Sequence, residues 1–284
     1  KKNGRNFVFH RTSNGCNSFI DAESRKNTTS PLMVRFFQNL PLPGQNFVLG
    51  LGAMLVAFPI YMVPNLAYGE RPGINLAFFI DNWLPFAPWT ILAYALIYVF
   101  VFLPLFTIKD REILWRVIFG FLLCSVIALP FFIFMPVRVP RPGIPTQESF
   151  FYWGVALNYI LDKPVNGFPS LHVANAVFAV ACCMKLSRRV ALWGIAGATL
   201  IALSTLTLRQ HFFADIVAGA ALALFCYFAV VHPVIRRKAA AGGEELVFAP
   251  RTALWVPYLY ALIVGVCFLL FSAGMRFQPV LPSN

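Results

Sequence analysis

Phe168-Pro169-Ser170-Leu171-His172 opens an apolar run that continues to Met184, and His211-Phe212-Phe213-Ala214-Asp215 opens another. A lone histidine in an apolar run is usually a packing residue. Here two of the chain's four histidines sit at the start of apolar stretches, one after a proline-serine turn and one four residues before an aspartate. Ionisable groups at membrane depth cost several kcal/mol unless they are paired or line a wet cavity, so they read as functional.

Working outward, the composition excludes an ordinary soluble domain. Of 284 residues, 59% are hydrophobic and 12% charged, whereas soluble domains carry about a quarter charged residues. Apolar runs of about 20 residues each span one hydrocarbon core. They predict an all-α, polytopic membrane helical bundle with six core transmembrane helices and a seventh C-terminal one. The spans are expected near 46–64, 88–107, 113–136, 169–184, 190–208, 212–231 and 253–273. A short helix is expected near 149–161, and the proline-interrupted segment 73–89 reads as an interfacial or re-entrant piece.

The organisation follows from these spans. Residues 1–45 form a polar, basic cytoplasmic tail, with a possible interfacial helix at 31–40. Residues 46–232 form the catalytic bundle, 233–252 a cytoplasmic linker, and 253–284 the additional helix with its tail. The formal charge of +12 falls in the tail and short loops, the distribution that fixes membrane orientation rather than one that binds nucleic acid. The loops at 109–116, 185–189 and 236–251 then face the cytoplasm with the N-terminus. Arg141, His172 and His211 share the extracytoplasmic face.

The six cysteines lie mostly inside apolar runs and read as small packing residues. No Cys-x-x-Cys and no His/Cys cluster has zinc spacing, so neither metal nor cofactor is expected. His211 and Asp215, four apart at a helix start, share one face, where the carboxylate can orient the imidazole and leave its other nitrogen to attack or take a proton. The bland reading is polar glue between spans. His172 lies in a first helical turn whose backbone N–H groups suit an anion. Arg141 and Arg209, with Arg138 as a further candidate, carry forks that match phosphate oxygens; the alternative for each is an interfacial arginine reaching toward lipid headgroups. Together these groups suit phosphoryl transfer through a phosphohistidine.

Arg141-Pro142, then Pro169-Ser170-Leu171-His172, then Ser204 through His211 and Asp215 resemble the three-part signature of the type 2 phosphatidic acid phosphatase superfamily, over roughly residues 90–230. The resemblance implies that His211 is the nucleophile, Asp215 orients it, and His172 is the general acid. It implies that Arg141 and Ser170 hold the phosphate. The chain departs from the usual pattern at Phe134 (lysine), Leu171 (glycine) and Thr205 (arginine). Its Pro-Ser-Leu-His and His-Phe-Phe-Ala-Asp runs are more similar to the inositol phosphorylceramide synthase branch. The expected function is a lipid phosphatase acting on a lipid phosphate or pyrophosphate, with a lipid phosphotransferase as the alternative. An anion transporter is the reading from another class, but the paired broken spans of such proteins are not visible.

The orientation makes a direct prediction. Single cysteines placed at 141 and 188 should label from opposite sides of sealed vesicles, and same-side labelling would overturn the topology.

Overall fold

The computed structural model describes residues 38–69, 71–184, 187–241 and 249–282. The expectations for the basic tail and for most of the 31–40 helix lie outside the described residues. The chain divides into two units, Lys1–Pro41 and Leu42–Asn284, and the bundle belongs to the second.

The elements are α-helical, with no strand among the described residues. They run α1 Leu42–Tyr68, α2 Phe79–Trp83, α3 Ile91–Ala95, α4 Ile97–Phe100, α5 Leu103–Thr107, α6 Arg111–Phe134, α7 Phe150–Leu161, α8 Leu171–Met184, α9 Arg188–Thr207, α10 Phe213–Cys226, α11 His232–Ala240 and α12 Trp255–Ser272. Among the described residues, five helical stretches are long and apolar enough to cross a membrane: α1, α6, α9, α10 continued through α11, and Pro250–Ser272. Helix is the expected answer, because an apolar segment in lipid must satisfy its backbone within itself. Polar residues mark the starts. The Asp110 carboxylate accepts from Ile113 N at 3.0 Å, and Ser149 and Ser187 accept from Tyr152 N and Val190 N, each satisfying an amide that the first turn leaves unpaired.

Two expected spans are not continuous helices of full membrane length. The second is a broken run from Pro88 to Thr107, whose breaks carry i→i−3 bonds such as Leu96 N to Ala93 O and Val99 N to Leu96 O. The fourth, α8, has only 14 residues, about 21 Å of helix, against about 30 Å of hydrocarbon. Beyond the sixth span, a π-helical turn at Tyr227–Val231 carries the helix on to Ala240. The first part of the expected linker is therefore helical, and its basic residues sit on α11. There Lys238 Nζ meets Asp110 Oδ2 at 2.7 Å, and Arg237 pairs with Glu112.

α8 is the centre. Ten of its fourteen residues are buried, it packs on α9, α10, α6 and α5, and apart from His172 and Asn175 it is apolar all round. Lipid tails compete with side chains for apolar contact, and close backbone approach through small residues then holds helices together. α8 contributes Ala174, Ala176, Ala179 and Ala181, and α10 contributes Gly219, packed against the Ser170 carbonyl and the Ala174 amide. Gly120 of α6 lies against the Phe178 ring in the same way. α12 is peripheral, with only Val256 buried. Its following segment turns inward: Trp153 Nε1 donates to Met275 O at 2.9 Å, Gln147 exchanges two bonds with Phe277, and Ile144 pairs with Val280.

A Cβ at position 219 would overlap the Ser170 carbonyl oxygen, a backbone atom that cannot swing aside. Gly219→Ala should therefore destabilise the protein by about 1–3 kcal/mol, the usual cost of overpacking. A thermal melt in detergent checks this, and an unchanged midpoint would contradict the close α8–α10 contact.

Candidate active site

Two loops deliver the histidines. Before α8, Asn166 takes a left-handed conformation, φ 62°, which asparagine tolerates better than most residues. Gly167 N then bonds Val137 O, and Ser170 N bonds Asp215 O at 3.0 Å, tying the loop to the start of α10. Ser170 Oγ accepts from Val173 N at 3.3 Å, the N-cap of α8. It keeps its own proton to donate. Before α10, Arg209 ends α9 at φ 54°, and the Gln210 and His211 amides both bond Thr205 O.

The two rings meet directly. His211 Nδ1 lies 2.9 Å from the Gly167 carbonyl, which can only accept, so Nδ1 carries the proton and neutral His211 leaves Nε2 as a lone pair. Nε2 lies 3.0 Å from His172 Nδ1, which must then donate. His172 Nε2 in turn lies 2.7 Å from the Tyr94 hydroxyl, which must donate to it. One carbonyl thus sets the direction of three hydrogen bonds.

Asp215 stands one step back from the place the spacing suggested. At the third position of α10 its Oδ2 folds back to accept from Phe212 N at 2.8 Å, which holds it 3.6 Å from His211 Nδ1. The hydrogen bond to the ring goes to Gly167 O instead. The fully buried carboxylate still places negative charge beside an Nδ1 that becomes positive when Nε2 is modified.

Of the three arginines, Arg141 reaches both loops. It is buried, donates to the Asp162 and Lys163 carbonyls and to Gln210 Oε1, and stacks 4.6 Å over the Tyr159 ring. Arg209 instead donates to Asp81 O at 2.6 Å and Leu84 O at 2.8 Å. Arg138 donates to Gly69 O at 2.7 Å and Arg71 O at 3.3 Å. Both are engaged with backbone carbonyls of the segment that follows α1, where an unpaired carbonyl is a strong acceptor.

Sequence reasoning passed over several residues here. Asp81 Oδ1 accepts from Phe213 N at 2.8 Å, so α2 satisfies an amide at the start of α10. The Asp162 Oδ1 atom accepts from Tyr61 OH at 2.7 Å and Asn65 Nδ2 at 3.0 Å. Gln210 donates to Asn158, which donates to Tyr98 OH. The available signal was the scarcity of acid, eleven Asp and Glu in 284 residues, which makes each carboxylate near an apolar run worth tracing. Tyr94 carried no comparable signal, since tyrosines are common in spans.

A cavity of about 380 Å³ runs between α1, α4, α6 and α8 and ends at the site. Ala53, Ala57, Val101 and Phe121 form part of its apolar wall, and Tyr61, Asp162, His172 and Asn175 bring polar groups to it. No group of three His, Cys, Asp or Glu residues suited to a metal ion occurs among the described residues.

Fold and site define a polytopic, all-α membrane protein with a buried histidine paired to a half-buried one, a carboxylate and an arginine. The PAP2 superfamily model matches residues 69–229, more than half of the chain, and the protein belongs to that superfamily. It is a membrane protein of phosphatase type. No curated protein and no solved structure matches it.

Asp162, in the loop between α7 and α8, is held by burial above the ordinary carboxylate range, against the pull of Arg141. With a raised folded value, the folded state binds the proton more tightly. The stabilisation from Asp162 is therefore present at low pH and is lost as pH rises from about 4 through that folded value. Asp162→Asn keeps an acceptor for Tyr61 and Asn65 and should flatten this slope, raising the melting midpoint near pH 7 more than near pH 4. Equal shifts at both pH values would show that the carboxyl does not titrate in that window.

Proposed function

We propose that the protein is an integral membrane lipid phosphatase that hydrolyses a lipid phosphate or pyrophosphate through a phosphohistidine at His211. The observation that carries this is the pair geometry: His211 Nε2 faces His172 Nδ1 at 3.0 Å while the Nδ1 proton of His211 is held by Gly167 O at 2.9 Å. The tautomer leaves the nucleophilic nitrogen on the side of the general acid.

In the first half-reaction His211 Nε2 bonds to phosphorus as the bond to the leaving oxygen breaks. Protonated His172 gives its Nδ1 proton to that oxygen. In the second, water attacks the phosphohistidine, His172 takes up its proton, and the P–N bond breaks to release phosphate and restore His211. Asp215, 3.6 Å from Nδ1, stabilises the positive ring of the intermediate. Arg141 bridges the two loops and, with the Ser170 hydroxyl and the α8 N-terminus, meets the phosphoryl oxygens. Arg138 and Arg209 enter this scheme as supports of the site's wall, contacting phosphate only if they exchange their backbone partners. The scheme calls for no metal and no cofactor. The site faces the extracytoplasmic side, and the partner is a lipid phosphate or phospholipid.

One observation favours a second reading, transfer to an alcohol as in inositol phosphorylceramide synthases. The cavity that ends at His172 is walled almost wholly by apolar side chains, with Leu171 among them, and such a wall suits a hydrocarbon tail better than water. The two readings share the first half-reaction and differ in what attacks the intermediate.

Purified protein with a short-chain phosphatidate and a pyrophosphate, assayed for free phosphate and by mass spectrometry for new lipids, tests both. His211→Ala should abolish turnover, Asp215→Asn should leave a slow residual rate, and EDTA should leave the wild type active. Near wild-type turnover by His211→Ala would sink the mechanism. Complete loss in EDTA, restored by a divalent ion, would sink its metal independence.

A further inference from the structure

Tyr94 lies outside the three signature motifs, yet its hydroxyl is 2.7 Å from His172 Nε2, on the far side of that ring from His211. The side chain is 1% exposed. Its ring centroid lies 5.1 Å from that of His172, so the phenol is packed beside the imidazole as well as bonded to it. Taking the reaction through His211 and His172 as given, we infer that Tyr94 is a positioning residue that keeps Nδ1 of His172 aimed at the reacting group in both half-reactions.

The reason is proton bookkeeping. At rest the Gly167 carbonyl forces His172 to carry its proton on Nδ1, and Tyr94 O–H donates to Nε2. When substrate binds as a phosphomonoester monoanion it brings in one more proton. His172 is then an imidazolium with Nδ1–H toward the leaving oxygen and Nε2–H toward Tyr94. After the Nδ1 proton has gone to the leaving oxygen, His172 is neutral again but in the other tautomer, protonated on Nε2 and with Nδ1 free to take the proton of the attacking water; the proton that came with the substrate then leaves with the phosphate as its monoanion, and the resting tautomer returns. Nε2 therefore changes from acceptor to donor within one turnover.

A partner fixed in one sense, a backbone carbonyl or an amide N–H, could serve Nε2 in only one of these two roles. A hydroxyl can do either by rotating about its C–O bond. Phenylalanine at 94 would take from Nε2 the hydrogen-bond partner it has in this structure, a loss felt most by the imidazolium, because hydrogen bonds to charged groups are the stronger ones.

The test separates proton delivery from plain packing by the choice of leaving group. Octyl phosphate releases an alkoxide that needs a proton, whereas p-nitrophenyl phosphate releases a stable phenolate that does not. Tyr94→Phe keeps the ring and its packing. Its single-turnover rate of leaving-group release, which isolates the first half-reaction, should fall on octyl phosphate by about 10- to 100-fold, part of the 10²–10⁴ that a general acid supplies. On p-nitrophenyl phosphate it should change by less than about threefold. In a His172→Ala background the same substitution should add almost nothing, since a residue that acts through His172 has nothing left to position. Equal losses on both substrates, no loss on either, or a full additional loss in the His172→Ala background would each overturn the assignment. An active His211→Ala protein would instead remove the mechanism on which the inference rests, so the two failures are distinguishable.

Discussion

A backbone carbonyl has no proton to give, and in this protein that fact orders the site. Because Gly167 O sits against His211 Nδ1, the direction of each bond from Gly167 through His211 and His172 to Tyr94 is determined while both rings are neutral. The carbonyl points where it does because its residue is held on both sides. Gly167 N bonds Val137 O, and three residues later Ser170 N bonds the Asp215 carbonyl. A Cβ at 167 would press on Val137 and come within 3.1 Å of Asp215 Oδ2, so glycine is required by the closeness of the two loops.

The second dependence is on α8. A helix of fourteen residues buried on nearly every side serves poorly as a simple membrane crossing and well as a post around which other helices gather. Its first turn carries Ser170 and His172, and its small residues admit α10 closely enough for the Ser170 carbonyl to lie against Gly219. The distance between the two histidines is therefore set by helix packing, and no flexible arm has to bring them together. Such rigidity suits a reaction in which positioning and charge, more than covalent chemistry by the protein, lower the barrier.

Most of the architecture could be read from the chain, since an apolar run of twenty residues in lipid has almost no choice but helix. The order of the spans, the short helix before the second motif and the juxtaposition of His172 with His211 followed from pattern and motif. What could not be read was direction. Arg209 and Arg138 are long side chains whose partners, the carbonyls of Asp81 and Gly69, lie 128 and 69 residues away, and nothing local tells a guanidinium which acceptor it will meet. The hydrogen bond expected between Asp215 and His211 failed for a local reason: an acid at the third helical position prefers the free amide of its own first turn. The short span at 169–184 agrees with α8, but its burial on nearly every side was hidden, because an apolar run does not reveal where lipid ends and protein begins.

The segment after α12 gives the molecule an order of completion. Met275, Phe277 and Val280 hydrogen-bond to Trp153, Gln147 and Ile144, close in sequence to Arg141. The ribosome makes those partners more than a hundred residues apart, so these bonds to the segment beside the Arg141 loop can form only once the residues after α12 have been made. A nascent chain stopped before α12 would hold both histidines and lack the clasp on their arginine loop. The final helix, almost bare of buried side chains, thus acts less as a wall of the bundle than as the carrier of its latch.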